Sequence, residues 1–251
     1  MIHVRHDGGV AWLTLDRPPL NVLNIALLDA LADTVASLDG DKELRLVVIE
    51  GAGRMFSAGV DVGEHLGDSL RPMLEAFARA AERLREQEAP TLAVVHGAAL
   101  GGACELVALC DLALVADDAK LGVPEITLGV VPPVAAALFP RLVGPQRAAG
   151  LILTGEPVSG RDAAAWGLVW RSVPAERLAD EARAVAELFR KRSAAALRLA
   201  RRTIREVEDL PLKDALRAAT EEQVRAIPQL ADAREGLTAF LDKRAPVWSH
   251  R

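Results

Sequence analysis

The sequence predicts an α/β fold, and three observations predict it. Through the first half, short apolar segments of strand length alternate with longer segments of helical period. Glycine and proline punctuate the joints between them. Beyond about residue 190 these breakers thin out and the pattern becomes wholly helical.

The elements follow in order. Ala11-Trp12-Leu13-Thr14-Leu15-Asp16 alternates as a strand does, and Arg17-Pro18-Pro19-Leu20-Asn21 ends it, because proline offers no ladder donor. Ile25 to Leu38 carries Leu27, Leu28, Leu31, Val35 and Leu38 at helical spacing. Leu46-Val47-Val48-Ile49 reads as a strand buried on both faces. Leu74 to Leu84 is helical, Thr91 to Val95 is the next buried strand, Gly101 to Leu109 follows as a helix, and Asp111 to Val115 is a strand. From about Gln146 the pattern is mostly helical, with one strand predicted at Val169–Val173. Three helices close the chain: Arg192–Val207, Leu212–Ala226 and Ala231–Arg244. This places an α/β core at residues 1–190 and a helical region at 191–251. Three amphipathic helices make a thin core alone, so the tail must pack on the core or on another subunit.

Composition excludes several classes. The chain has 251 residues, 51% hydrophobic and 26% charged, with a net charge of −5. That is too apolar for disorder, and its mild acidity disfavours nucleic acid. Two cysteines, Cys104 and Cys110, cannot form a disulfide framework and suit a reducing compartment. The first residues, Met1 to Asp7, lack the apolar core of a signal peptide. No run of ~18 apolar residues is free of charge, so no membrane span is expected. The expected location is the cytoplasm.

Thr91 to Pro140 is the most informative stretch. It contains no arginine, and its only charged residues are Glu105, Asp111, Asp117, Asp118, Lys120 and Glu125. The cluster at 117–120 reads as a solvated turn. Glu105 and Glu125 sit in apolar runs without partners nearby. A carboxyl group in such surroundings has its pKa raised toward neutrality, the condition for acid–base work at pH 7. A helix cap or a distant arginine pair would explain each glutamate equally well. Two glycine-bearing turns, Gly51–Asp61 and His96–Gly102, expose backbone N–H groups suited to an oxyanion or phosphate. Neither is a dinucleotide fingerprint or a phosphate loop, and ordinary tight turns would look alike.

Other residues carry less. Cys104 has no base nearby in sequence and reads as a packing residue. His65 reads as an exposed loop residue or a pocket-mouth residue. No spacing suggests zinc. Arg190, Lys191, Arg192, Arg198, Arg201, Arg202 and Arg205 have helical spacing and acids beside them, so a solvated helix face is expected rather than a phosphate site.

Taken together, the motifs resemble the enoyl-CoA hydratase/isomerase, or crotonase, superfamily. The resemblance rests on Arg17-Pro18-Pro19-Leu20-Asn21, on Gly53 to Asp61, on Gly97 to Leu106, on Pro124-Glu125-Ile126 with Leu128-Gly129, and on Ala239 to Pro246. It covers nearly the whole chain. It implies a crotonase-like spiral of ββα units followed by a helical trimerisation region, assembled as a homotrimer or a hexamer of two trimers. It implies an acyl-CoA thioester substrate, with no cofactor beyond the coenzyme A of that substrate and no metal. The N–H groups of Ala58 and Gly102 would form the oxyanion hole. Glu105 would activate water and Glu125 would deliver a proton to Cα, as in family hydratases, which keep both glutamates. Ala58, Gly59, Val60 and Asp61 would line the thioester end of the pocket. Asn21 and Val22 would meet the adenine, and Phe240 and Lys243 a CoA phosphate.

One segment departs from the family pattern. Where most hydratases have proline and a glycine pair after Leu128-Gly129, this chain has Val130-Val131-Pro132-Pro133-Val134. Val134 is expected to reshape the acyl side of the pocket. This segment, with Pro19–Leu23 and Gly59–His65, is most similar to a branch named for cyclohexa-1,5-diene-1-carbonyl-CoA hydratase, which acts in anaerobic aromatic degradation. The alternatives are an isomerase or decarboxylase using the same enolate, and a non-catalytic binding or scaffold protein on the same fold.

Overall fold

The buried strands determine the layering. A computed structural model describes residues 1–251. β1 (Ile2–Asp7) and β2 (Val10–Leu15) form an antiparallel hairpin turned by Gly8 and Gly9 at positive φ. β3 (Leu46–Gly51), β4 (Thr91–Val95), β6 (Leu112–Ala116) and β9 (Arg171–Val173) then add in parallel, giving the sheet order β1-β2-β3-β4-β6-β9. A second sheet of three short strands, β5 (Ala98–Leu100), β7 (Lys120–Gly122) and β8 (Val158–Ser159), stands beside it in that order. The chain passes from β4 to β5 through His96-Gly97. Gly97 has φ of +63°, and a Cβ there would strike the Arg54 carbonyl. The step from strand to strand to helix is the repeating unit expected of a spiral of ββα turns.

Helices cover the sheets. α1 (Ile25–Ala36) starts at Asn24, whose side chain accepts from the Leu27 N–H, and buries Leu27, Leu28, Leu31, Ala32 and Val35. α2 (Leu70–Glu86) buries Met73, Ala76, Phe77, Ala80, Ala81 and Leu84, a stripe of period 3.6, and packs on α1. It starts four residues earlier than its apolar spacing predicts. α3 (Gly102–Leu109), α4 (Pro133–Val143), α5 (Pro145–Thr154), α6 (Gly160–Trp166) and α7 (Leu178–Arg190) complete the core region.

Four strands escape the sequence reading. β1 is an edge strand with five exposed positions out of six, so it shows no apolar alternation. β5, β7 and β8 are two or three residues long, too short for any period to register. The strand expected at 169–173 begins only at Arg171.

The tail is α8 (Ala194–Val207), α9 (Leu212–Ala226) and α10 (Ala231–Leu241), the last ending short of the expected Arg244. The arginine face of α8 is not solvated as expected. Arg201 is 6% exposed. Its Nε lies 2.7 Å from Asp111 Oδ2, and its other nitrogens donate to the carbonyls of Leu84, Arg85 and Gln87 at the end of α2. Arg205 meets the other Asp111 oxygen at 3.0 Å, and Arg202 pairs with Glu222 of α9 at 2.6 Å. Arg201 and Arg205 tie the tail to the core, Arg201 by supplying donors that the last carbonyls of α2 need. No helix is long and apolar enough to cross a membrane.

Candidate active site

The site is built on two loops stapled together. Asn21 is buried, and its Nδ2 donates to the carbonyls of Ala52, Met55 and Phe56 at 2.8, 3.0 and 3.1 Å. Its Oδ1 accepts from Arg17 N at 2.9 Å. Ser57 Oγ donates to the Asn21 carbonyl at 2.7 Å and accepts from the Gly59 N–H at 3.1 Å. The glycine segment 51–61 is thereby held against the 17–21 turn. Asn21 itself is not placed for adenine: its N–H donates to Arg17 and its carbonyl is taken by Ser57. The Val22 carbonyl accepts from Asn24 N and from Arg17, while its N–H has no partner in the chain.

The same geometry corrects one oxyanion assignment. The Ala58 N–H already donates to the Leu20 carbonyl at 2.9 Å. Two residues on, the Val60 N–H has no partner within the chain, although Leu23 bonds to the groups on either side of it. Gly102 opens α3, so its N–H has no acceptor inside the helix. The Gly102 backbone lies against the Val60 side chain: a Cβ on Gly102 would lie 2.5 Å from Val60 Cγ2 and 2.8 Å from the Phe77 ring. Gly102 is therefore required for close approach, and Val60 with Gly102 is the unpartnered donor pair.

Both glutamates reach this place. Glu105, 3% exposed in α3, accepts from Ala135 N at 2.7 Å and so caps the start of α4. Burial raises its pKa to about 7, with the Ala135 amide opposing and the charge of Glu125 adding. Glu125 stands on a single 3₁₀ turn, Pro124–Leu128, and its Oε1 would lie 2.9 Å from a Cβ on Gly101. Gly101 has φ of +55°, so glycine serves there both for conformation and for room. Burial also raises the Glu125 pKa, while its own backbone amide and His65 oppose. Its Oε2 is buried without a partner.

One cavity of about 440 Å³ collects these groups. Ala58, Gly59, Val60, His65, Gly101, Gly102, Glu105 and Glu125 line it. Of the two readings of His65, the structure supports the pocket residue. Asp61 and Val134 are not in the lining. Asp61 caps a 3₁₀ turn by accepting from Gly63 N at 2.9 Å, and Val134 packs against the core while Val130 to Pro133 form the wall. The paired prolines start α4, where a missing N–H costs nothing. Phe240 is 82% exposed on α10, and neither it nor Lys243 lines the cavity. Burial pushes the Cys104 thiol up, which keeps it un-ionised as a packing residue. No group of three or more His, Cys, Asp or Glu is arranged to hold a metal ion. Sequence reasoning missed Met73, Phe77 and Leu128 in the lining, and their apolar spacing alone does not distinguish a cavity wall from core.

Comparison with known proteins follows the same lines. The family model described as Enoyl-CoA hydratase/isomerase matches residues 5–251. A Mycobacterium tuberculosis protein named "Probable enoyl-CoA hydratase echA8" is 36% identical over 253 residues, covering 100% of this chain and 98% of that protein. The 2,3-dehydroadipyl-CoA hydratase of Escherichia coli is 34% identical over 258 residues, covering 99% of this chain and 98% of its own. The crystal structure of an enoyl-CoA hydratase from Bacillus anthracis superposes with a TM-score of 0.94 at 31% identity, over 100% of this chain and 99% of that one. Residues 5–251 thus match from end to end in sequence and in fold, and the chain belongs to the enoyl-CoA hydratase/isomerase family.

Proposed function

We propose that the protein is an enoyl-CoA hydratase, a carbon–oxygen lyase that adds water reversibly across the α,β double bond of an acyl-CoA thioester. The observation that carries this reading is the meeting of two glutamates of raised pKa and two unpartnered N–H groups in one cavity. The Val60 and Gly102 N–H groups hold the thioester oxygen as it gains enolate charge; a donor of this kind contributes ~3–4 kcal/mol to lowering the barrier. Glu105, with a pKa near 7, takes the proton of the water that attacks Cβ. Burial shifts Glu125 toward its protonated form, and it delivers a proton to Cα. Its unpartnered oxygen is suited to hold the same water. The two titrations are coupled, so acid and base are roles of the pair. This chemistry is proton transfer and carbonyl polarisation, and it calls for no cofactor or metal beyond the substrate's coenzyme A.

The test is turnover of an enoyl-CoA panel by Glu105→Gln and Glu125→Gln. Both variants should lose hydration by ~10²-fold or more and retain CoA-thioester binding. Full activity in both would sink the reading. Product mass separates the rivals on this fold: hydration adds a water, isomerisation adds nothing, and decarboxylation loses carbon dioxide. The branch similarity and the Val130–Pro133 wall support a cyclic dienoyl-CoA as one substrate. Exposed apolar side chains on α9 and α10 support assembly as a trimer or a pair of trimers, and free cysteines suit the cytoplasm. Val22, with its unpartnered N–H, stays the adenine contact within this reading.

A further inference from the structure

Beyond the glutamates the cavity changes character. Val62, Leu66, Leu70, Leu74, Leu128 and Val131 add apolar side chains to its lining. These apolar walls run out to the surface, since Leu66 is 73% exposed. No lysine or arginine lines the cavity. His65 is the only lining side chain that can carry positive charge. Its Nδ1 lies 3.0 Å from the Asp61 carbonyl, and its charge acts on Glu125. Arg71, between Leu70 and Leu74 in sequence, is outside the lining and faces Glu75 at 3.7 Å.

We infer that this site, taken as the hydratase site proposed above, selects acyl groups that are uncharged and apolar and rejects those ending in a carboxylate. An ω-carboxylate lying between these walls, whose side chains are 41–73% exposed, would give up part of its water to leucine and valine. No lysine or arginine lines the cavity to replace that water, so a partly desolvated charge there is disfavoured. A methyl, a branched end or a ring gains from the same burial. The distinction has content within the family: the E. coli relative is named for 2,3-dehydroadipyl-CoA, a thioester with an ω-carboxylate, yet it is 34% identical to this chain.

The experiment compares kcat/KM for trans-2-hexenoyl-CoA and 2,3-dehydroadipyl-CoA, which share a carbon count and differ in methyl against carboxylate. The hexenoyl thioester should be preferred by ~10-fold or more. Equal values, or preference for the dicarboxylate, overturn the inference. Calorimetric binding of the unreactive hexanoyl-CoA and adipyl-CoA gives the second measurement. It reads the walls without turnover. If no thioester is hydrated, the hydratase reading fails by itself, while tighter hexanoyl-CoA binding upholds the selectivity and equal binding overturns it.

Discussion

Glu105 combines two demands at one residue. It is buried, and one oxygen is held by the Ala135 amide. Its pKa of about 7 means that the folded protein prefers the protonated carboxyl. The sign follows from linkage. The folded pKa lies above the ordinary glutamate value of 4.5, so Glu105 contributes stability fully present below 4.5 and lost as pH rises through 7. The upper bound of that loss is ~3 kcal/mol. Glu105→Gln should therefore flatten the decline of the urea midpoint between pH 5 and pH 8. A variant that declines as steeply as the parent would show that the glutamate is not strained by charge. The isolation of Glu105 and Glu125 was legible in the sequence, because their neighbours are apolar for several residues on both sides. The donor pair was only half legible. Gly102 follows from its place at a helix start, but choosing Val60 over Ala58 depends on which amide Leu20 takes, and Leu20 lies 38 positions away in the chain.

At the scale of elements, α8 depends on a single buried cation. Asp111 is drawn in two directions: burial raises its pKa, but the charge and hydrogen bond of Arg201 prevail, with Thr91 and Arg205 adding, and hold it below the usual carboxylate range. Arg201 also donates to three carbonyls at the end of α2. Arg201→Ala should destabilise the protein by about 2–4 kcal/mol, because the three carbonyls lose their donor and Asp111 keeps only Arg205 and Thr91. Denaturant titration measures this, and a loss below ~1 kcal/mol would show that α8 docks by its apolar face alone. The Asp111 contribution is present above the unfolded carboxyl pKa and lost as pH falls through the lower folded one, so strong acid should weaken this joint. The helices of the core were readable because their stripes are long. β5 and β7 were not, because glycine turns and parallel neighbours, rather than period, make them strands.

For the whole molecule, the unpartnered surface is concentrated in the tail. α9 buries only Glu222, while Leu212, Leu216 and Val224 face outward, and α10 exposes Leu237, Phe240 and Leu241. Apolar surface of this extent suits the interface between copies proposed above. Light scattering after size exclusion should give a trimer or a pair of trimers. Leu216→Glu with Phe240→Glu should shift the population to smaller species, and a monomeric parent protein would remove the argument. If Phe240 and Lys243 do reach a CoA phosphate, they do so in a neighbouring copy, since neither lines this chain's own cavity.

What the sequence alone determined is local in origin: the long helices, the buried parallel strands, the two stranded glutamates and the glycine turns that precede them. Each leaves its mark within a dozen residues, as a period, a breaker or a missing counter-ion. What only the tertiary structure decided is pairwise and distant. It decided that the Ala58 amide is taken and the Val60 amide is not, that Asn21 staples rather than binds, and that Val134 faces the core while its neighbours form the wall. It also turned a charged helix face into the clamp between core and tail. The physical reason is the same throughout: a hydrogen-bonding group's role depends on whether a partner satisfies it, and that partner is chosen by folding.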